Sequence, residues 1–273
     1  MKVLYFVFGF LLLLACKKGG VVAMENPMTI TPLKPIDTPV KPVDTAKKPT
    51  DTTKKPVDTV KTRPEDPNKG KQLNYLALGD SYTIGESVPA AESFPLQLAA
   101  QLGANGLIIN PPTIVARTGW TTSELQEGIV RAGLIQKFDF VTLLIGVNNQ
   151  YRKDSKDVYR KEFKELLKTA IDFVKGNKDR VFVVSIPDWG VTPFGKKSGR
   201  SQQEISTEID AFNKICKEET LALEVSYTDI TPASRNASSD LSLVASDGLH
   251  PSGKMYKDWA KNVAPAVTKV FKP

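Results

Sequence analysis

Residues 72–273 predict one α/β domain built on a doubly wound, mainly parallel sheet. Two observations lead there. Apolar runs of strand length alternate along the chain with stretches of helical apolar spacing. The run FDFVTLLIG (138–146) is almost unbroken, as a strand covered on both faces must be. A domain of about 200 residues is long enough to bury roughly 70% of its unfolded-chain surface.

LNYLALG (73–79) is an apolar strand ending in glycine. SFPLQLAAQLG reads as a helix stopped at Gly103, and LIINPPTIVA contains a second strand leading to Ala116. TTSELQEGIVRAGL offers a Thr or Ser N-cap and helical apolar spacing. The central strand at 138–146 is followed by the long amphipathic helix KDVYRKEFKELLKTAIDFVKG, and RVFVVSIP is the fourth strand. A helix around QQEISTEIDAFNKICKEET, a short strand in LEVSYTDI and a last helix from about Ser252 to Phe271 complete the pattern. Cys216 lies within one of these helical patterns and reads as a buried structural thiol.

In such sheets ligands bind beyond the carboxyl ends of the strands. The first strand runs into GDSYTIGES with Ser81, the second into ARTGWTTSE with Gly119, and the third into GVNNQY with Asn148 and Asn149. SDGLHPSG, with the only histidine of the chain, His250, precedes the last helix. Singly, each reads as an N-cap, a turn or a surface residue. Together at one rim their chemistry is complementary. Ser81 supplies a hydroxyl, His250 takes its proton, and Asp247 folds back across a Gly-containing turn onto the imidazole. The backbone N–H groups of Ser81 and Gly119 and the Asn148 amide are donors for an oxyanion. Pro187, Trp189, Pro193 and Phe194, in the loop after the fourth strand, are candidates for a substrate wall and read equally as core packing, while Trp120, directly after Gly119, has the better claim to line the site.

GDSYTIGES, the Gly of RTGWTT, GVNN and DGLHP resemble, in order, the four blocks of the GDSL/SGNH hydrolases, over about residues 73–271. The resemblance implies a flavodoxin-like three-layer α/β/α sandwich with a mainly parallel five-stranded sheet. It implies Ser81 as nucleophile, Asp247 and His250 as the rest of a triad, and Ser81, Gly119 and Asn148 as the oxyanion hole. It also implies action on esters or thioesters, lipids and O-acetylated sugars among them, without metal or other cofactor. Two positions depart from the pattern: Tyr82 stands where the family usually has Leu, and Asn149 where it usually has Asp.

The N-terminal region is of another kind. Lys2 precedes an apolar run from Val3 to Ala15 that is short for a bilayer span. LLAC resembles the lipobox of bacterial lipoproteins, which implies removal of residues 1–15 and lipidation of Cys16. Multiple acyl chains give stable anchoring to a membrane. From Lys34 the heptads KPIDTPV, KPVDTAK, KPTDTTK and KPVDTVK follow one another. Proline in each repeat forbids a continuous helix, so residues 16–71 read as an extended tether. Its Asp-Thr-Ala, Asp-Thr-Thr and Asp-Thr-Val triplets resemble O-glycosylation sites of Bacteroidetes, and the tract reads equally as a plain solvated linker.

Charge follows the same division. Residues 17–71 carry 12 Lys or Arg against 7 Asp or Glu, whereas 72–273 carry 24 against 23. The basic excess of the chain therefore sits in the tether, and the domain is not built for nucleic acid. One histidine argues against a metal-dependent hydrolase. The expected protein is a monomeric, lipid-anchored serine esterase of the cell envelope, facing the periplasm or the cell surface. Its expected substrates are short acyl or O-acetyl esters, those of polysaccharides included. The alternatives are a lysophospholipase or lipase of the same family, or a binding lipoprotein that has lost catalysis.

Overall fold

The computed structural model describes residues 70–272. The expected signal segment 1–15, Cys16 and the heptad repeats lie outside the described residues. Seven strands occur among the described residues: β1 (Gln72–Leu73), β2 (Tyr75–Asp80), β3 (Ile108–Ile109), β4 (Thr113–Arg117), β5 (Phe140–Leu144), β6 (Val181–Val184) and β7 (Ser226–Thr228). The helices in chain order are α1 (Ser81–Ile84), α2 (Phe94–Ala104), α3 (Thr122–Ala132), α4 (Val147–Tyr151), α5 (Lys156–Phe173), α6 (Pro193–Lys197), α7 (Gln202–Ala222), α8 (Thr231–Ser234) and α9 (Gly253–Phe271).

The main sheet has the order β4-β2-β5-β6-β7, with every neighbouring pair parallel. β1 and β3 form a separate parallel pair. Strands β2, β5 and β6 are buried along their whole length, which explains why their sequences are apolar without alternation. α2 packs on α9, while α5 packs on α3 and α7. The sheet thus lies between two helical layers, as right-handed crossovers running outward in both directions from β2 require. Trp259 of α9 is fully buried and meets Tyr82 and Phe94 edge-on. The order reverses between β2 and β5, and there the two crossovers part and leave a crevice at the carboxyl ends.

The local boundaries follow from cap chemistry. Thr121 and Glu124 form a capping box at the start of α3, and Ser252 caps α9 through the Met255 N–H. α2 runs one residue past Gly103, where the sequence suggests a stop. The left-handed residue that ends it is Gly106 (φ 81°), not Gly103. Leu107 N donates to Leu102 O and Gly106 N to Gly103 O, a Schellman closure with both leucines buried. Cys216 is a free, buried thiol on α7 whose ionisation burial opposes.

Candidate active site

β2 passes directly into α1, so Ser81 sits at the carboxyl edge of the sheet as the first helical residue. Asp80 turns the chain: its Oδ1 accepts the Tyr82 N–H at 3.0 Å and caps the helix. The turn is tight. A Cβ on Gly79 would overlap Thr83 Oγ1 of the next turn and the Leu144 carbonyl oxygen of β5. Asp80 is fully buried, and burial pushes its carboxyl up to about 7 against the lowering effect of the Tyr82 N–H.

The loop before α9 is fastened at both ends. Val244 and Pro251 form an antiparallel bridge, Ala245 N donates to His250 O at 2.8 Å, and Ser252 N donates to Leu243 O at 2.9 Å. Within it, Asp247 Oδ1 accepts from Leu249 N at 2.9 Å and His250 N at 3.0 Å. His250 Nδ1 lies 2.6 Å from Asp247 Oδ2. Partial burial opposes ionisation of Asp247, but hydrogen bonds from His250, Leu249 and Ser87 outweigh it and hold the carboxyl well below the usual carboxylate range. An ionised carboxylate only accepts, so Nδ1 is the donor in this contact and Nε2 is the nitrogen turned away from Asp247. The His250 ring packs edge-on against Tyr82, centroids 5.6 Å apart. Tyr82, in place of the leucine common in the resembled pattern, therefore both walls the cavity and steadies the imidazole.

Gly119 follows β4 with φ 84°, a left-handed conformation that an L side chain rarely adopts. Its carbonyl accepts from Arg152 Nη2 at 2.6 Å, and Arg152 Nη1 reaches Glu124 Oε1 at 3.2 Å. Asn148 Nδ2 donates to the Trp120 carbonyl at 2.9 Å and faces Asp80 Oδ2 at 3.5 Å. One amide hydrogen is thus committed to Trp120, and the second is held only by the long approach to Asp80. Asn149 uses its whole amide. Oδ1 accepts from Thr122 N at 3.1 Å, while Nδ2 donates to Thr122 Oγ1 at 2.8 Å and to Asp154 Oδ2 at 3.1 Å. A carboxylate there would face Asp154 with no donor, which gives the asparagine its physical reason.

Ser81, Asn148 and His250 line one cavity of about 230 Å³, walled by Tyr82, Val147, Tyr151, Trp189, Phe194 and Leu249. A larger hollow of about 670 Å³ around Arg180 and Glu224 lies at the amino ends of β6 and β7 and contains none of these residues. Trp189 is in the wall as the sequence suggests. It is only 2% exposed, and its Nε1–H donates to Gln150 Oε1 at 2.7 Å, which ties the wall to α4. Phe194 joins the wall, while Pro187 is buried outside the lining.

Trp120 is placed otherwise than expected. Its ring lies against Gly128 of α3, under the Arg131 guanidinium at 5.9 Å, and it is not among the residues lining the cavity. Only its carbonyl touches the site, through Asn148. Tyr151 and Leu249 escaped the sequence reading. The signal for Tyr151 is the helical spacing from Val147, which brings both to one face of α4.

Among the described residues no three His, Cys, Asp or Glu side chains cluster as metal ligands would. A model of the GDSL-like lipase/acylhydrolase family matches residues 77–257. The fold resembles a lipase/acylhydrolase from Enterococcus faecalis, at 21% identity and TM-score 0.57, over 74% of this chain and 98% of that one. It also resembles an acetylxylan esterase from Geobacillus stearothermophilus, at 18% identity and TM-score 0.54, over 76% and 97%. A third is a psychrotrophic esterase from Pseudoalteromonas sp. inhibited by monoethylphosphonate, at 13% identity and TM-score 0.56, over 74% and 100%. No curated protein sequence matches the chain. At these identities the solved structures speak for the fold, and the family match, spanning β2 to the first turns of α9, speaks for descent: the chain belongs to the GDSL-like lipase/acylhydrolase family.

Proposed function

We propose that the protein is a membrane-anchored serine esterase that removes short acyl groups, O-acetyl groups of glycans among them, through an acyl-enzyme on Ser81. The observation that carries the reading is that His250, whose Nδ1 lies 2.6 Å from Asp247 Oδ2, shares one cavity with Ser81. In the proposed reaction Ser81 Oγ attacks the ester carbonyl and gives its proton to His250 Nε2. Asp247 keeps the proton on Nδ1 and stabilises the imidazolium. The oxyanion takes hydrogen bonds from the Ser81 and Gly119 N–H groups and from the second Asn148 amide hydrogen, which leaves the long contact with Asp80. Collapse expels the alcohol, protonated by His250. Water then attacks the acyl-enzyme with His250 again as base, and releases the acid.

A cavity of about 230 Å³ has room for a short acyl group next to a ring-shaped leaving alcohol. Tyr151 is 51% exposed and Phe194 36% exposed, and both pack on the buried Trp189 with centroids 5.4 and 5.9 Å away. Their free faces offer an apolar surface at the mouth against which the C–H face of a sugar can lie. The acetylxylan esterase among the structural neighbours agrees with that substrate class. The test is a panel of p-nitrophenyl esters from acetate to palmitate beside acetylated xylan. The expected result is highest kcat/KM at two to four acyl carbons (~10-fold or more above the long chains), with acetate released from the glycan. A maximum at long chains would replace the esterase with the lipase reading.

The anchor is proposed from Cys16 and the apolar run before it. On this reading the tether holds the domain at a distance from the membrane, reaching at most roughly 170 Å at full polyproline extension. The expected mature protein begins at Cys16 and carries acyl chains in its mass spectrum. An unacylated mature chain contradicts the anchor without touching the esterase.

A further inference from the structure

We infer that Ser87 is a positioning residue for the Asp247–His250 pair, its hydroxyl supplying the last hydrogen bond that the Asp247 carboxylate can accept. The inference rests on the reading of Ser81, His250 and Asp247 as the catalytic group.

Four non-glycine residues among the described ones have positive φ: Ser87, Lys153, Lys175 and Glu224. The last three each directly follow the C-cap of a helix, α4, α5 and α7, where a left-handed residue is the ordinary closure. Ser87 is placed differently. It is the third residue of a turn closed by Val88 N on Gly85 O at 3.3 Å, a position that takes a positive φ, and has φ 65°. The turn directs its side chain to the site. Ser87 Oγ donates to Asp247 Oδ2 at 2.7 Å across 160 positions of sequence.

That bond completes the carboxylate. Leu249 N and His250 N fill Oδ1, and His250 Nδ1 and Ser87 Oγ fill Oδ2. A carboxylate has about four lone-pair sites. The Asp247 side chain is 30% exposed, so without Ser87 its outer lone pair would meet water, which does not fix the plane of the group. The same turn reaches the other side of the site. Glu86 accepts a hydrogen bond from Thr118 Oγ1, and Thr118 precedes Gly119. Glu86 N and Gly85 N both donate to Ser81 O at 3.1 Å. One turn thus links the Ser81 helix, the Gly119 loop and Asp247. The other ionisable groups near this corner are Asp80 at the end of β2, Glu86 in the turn and Asp188 before α6, with the hydroxyls of Tyr82 on α1 and Tyr256 on α9 kept neutral by burial. Asp188 is neutralised by Arg235 at 2.8 Å.

The decisive variant is Ser87→Gly in the full chain, because glycine accepts φ 65° without strain while losing the hydroxyl. Ser87→Ala, which keeps the strain, is measured beside it, with Ser81→Ala as reference. The expected result for Ser87→Gly is a melting temperature within a few degrees of wild type, since relief of the positive φ offsets much of the lost hydrogen bond, with kcat down roughly three- to tenfold and KM within about twofold. The acid limb of kcat/KM moves to higher pH, because Oδ2 with one donor fewer concentrates its charge on the imidazolium. The chain has one histidine, so the downfield Nδ1–H proton resonance is unique and should shift in the variant. Wild-type kcat, acid limb and resonance in a folded Ser87→Gly overturn the inference, as does a lowered melting temperature with kcat unchanged. If Ser87→Gly does not fold, the same kinetic and spectral readouts on Ser87→Ala decide. Full activity in Ser81→Ala would instead sink the catalytic reading. An inactive Ser81→Ala beside an unaffected Ser87→Gly sinks this inference alone.

Discussion

Ser81→Ala and His250→Ala are each expected to lower kcat on p-nitrophenyl acetate by roughly 10³-fold or more, with little change in KM. On the proposed mechanism alanine at 81 removes the atom that forms the acyl bond, yet it leaves the Asp80 cap on the Tyr82 N–H in place. The fold should survive, so circular dichroism and melting should stay near wild type. On the proposed mechanism alanine at 250 removes the base, and no second imidazole exists in the chain to replace it. The double variant is expected to be scarcely worse than either single one, since the two groups act in one step. Losses that multiply would mean that the two residues serve separate functions.

The second large effect is on stability. Asp80 is fully buried, and its carboxyl is raised from the usual 3.8 to about 7 by burial. An acid whose pKa is higher in the folded state holds its proton there while the unfolded chain releases it. Below the unfolded value the effect is nil. Between about pH 4 and 7 stability falls as pH rises, and above about pH 7 the full cost remains. Three units correspond to about 4 kcal/mol. Asp80→Asn mimics the neutral carboxyl and can still accept the Tyr82 N–H. It is expected to match wild type in urea unfolding near pH 4 and to exceed it by up to about 4 kcal/mol at pH 9. Asp247 acts with the opposite sign: its lowered pKa contributes stability above the usual carboxylate range that is lost as pH falls through the folded value. An Asp80→Asn difference that does not change with pH would show that burial does not govern this carboxyl.

Much of this molecule can be read from sequence because the sheet is covered on both faces. β5 and β6 are unbroken apolar runs, and a doubly wound sheet fixes which rim follows them. That Ser81, Gly119 and Asn148 each lie just past a strand is therefore readable from sequence. What escaped depends on contacts between distant segments. The Ser87–Asp247 bond joins residues 160 apart, and no local pattern announces it. The direction of the Trp120 ring depends on the bare surface that Gly128 leaves one helix turn away from the capping box of α3. Gly103 looked like a stop because glycine marks helix ends, but the left-handed turn falls at Gly106, where Leu107 can close back on Leu102. Asn149 departs from the resembled pattern, and its meaning became legible only with Thr122 and Asp154 in place around it.

On the proposed mechanism Ser81 is the residue that becomes acylated. Phosphonate esters mimic the tetrahedral intermediate and stay on the nucleophile, so the most direct measurement is peptide mass spectrometry after treatment with a fluorophosphonate. One adduct is expected, on the peptide containing Ser81, formed with loss of esterase activity and abolished in His250→Ala. Inactivation with the adduct on another residue, or full hydrolysis by a protein that Ser81 modification leaves active, would contradict it.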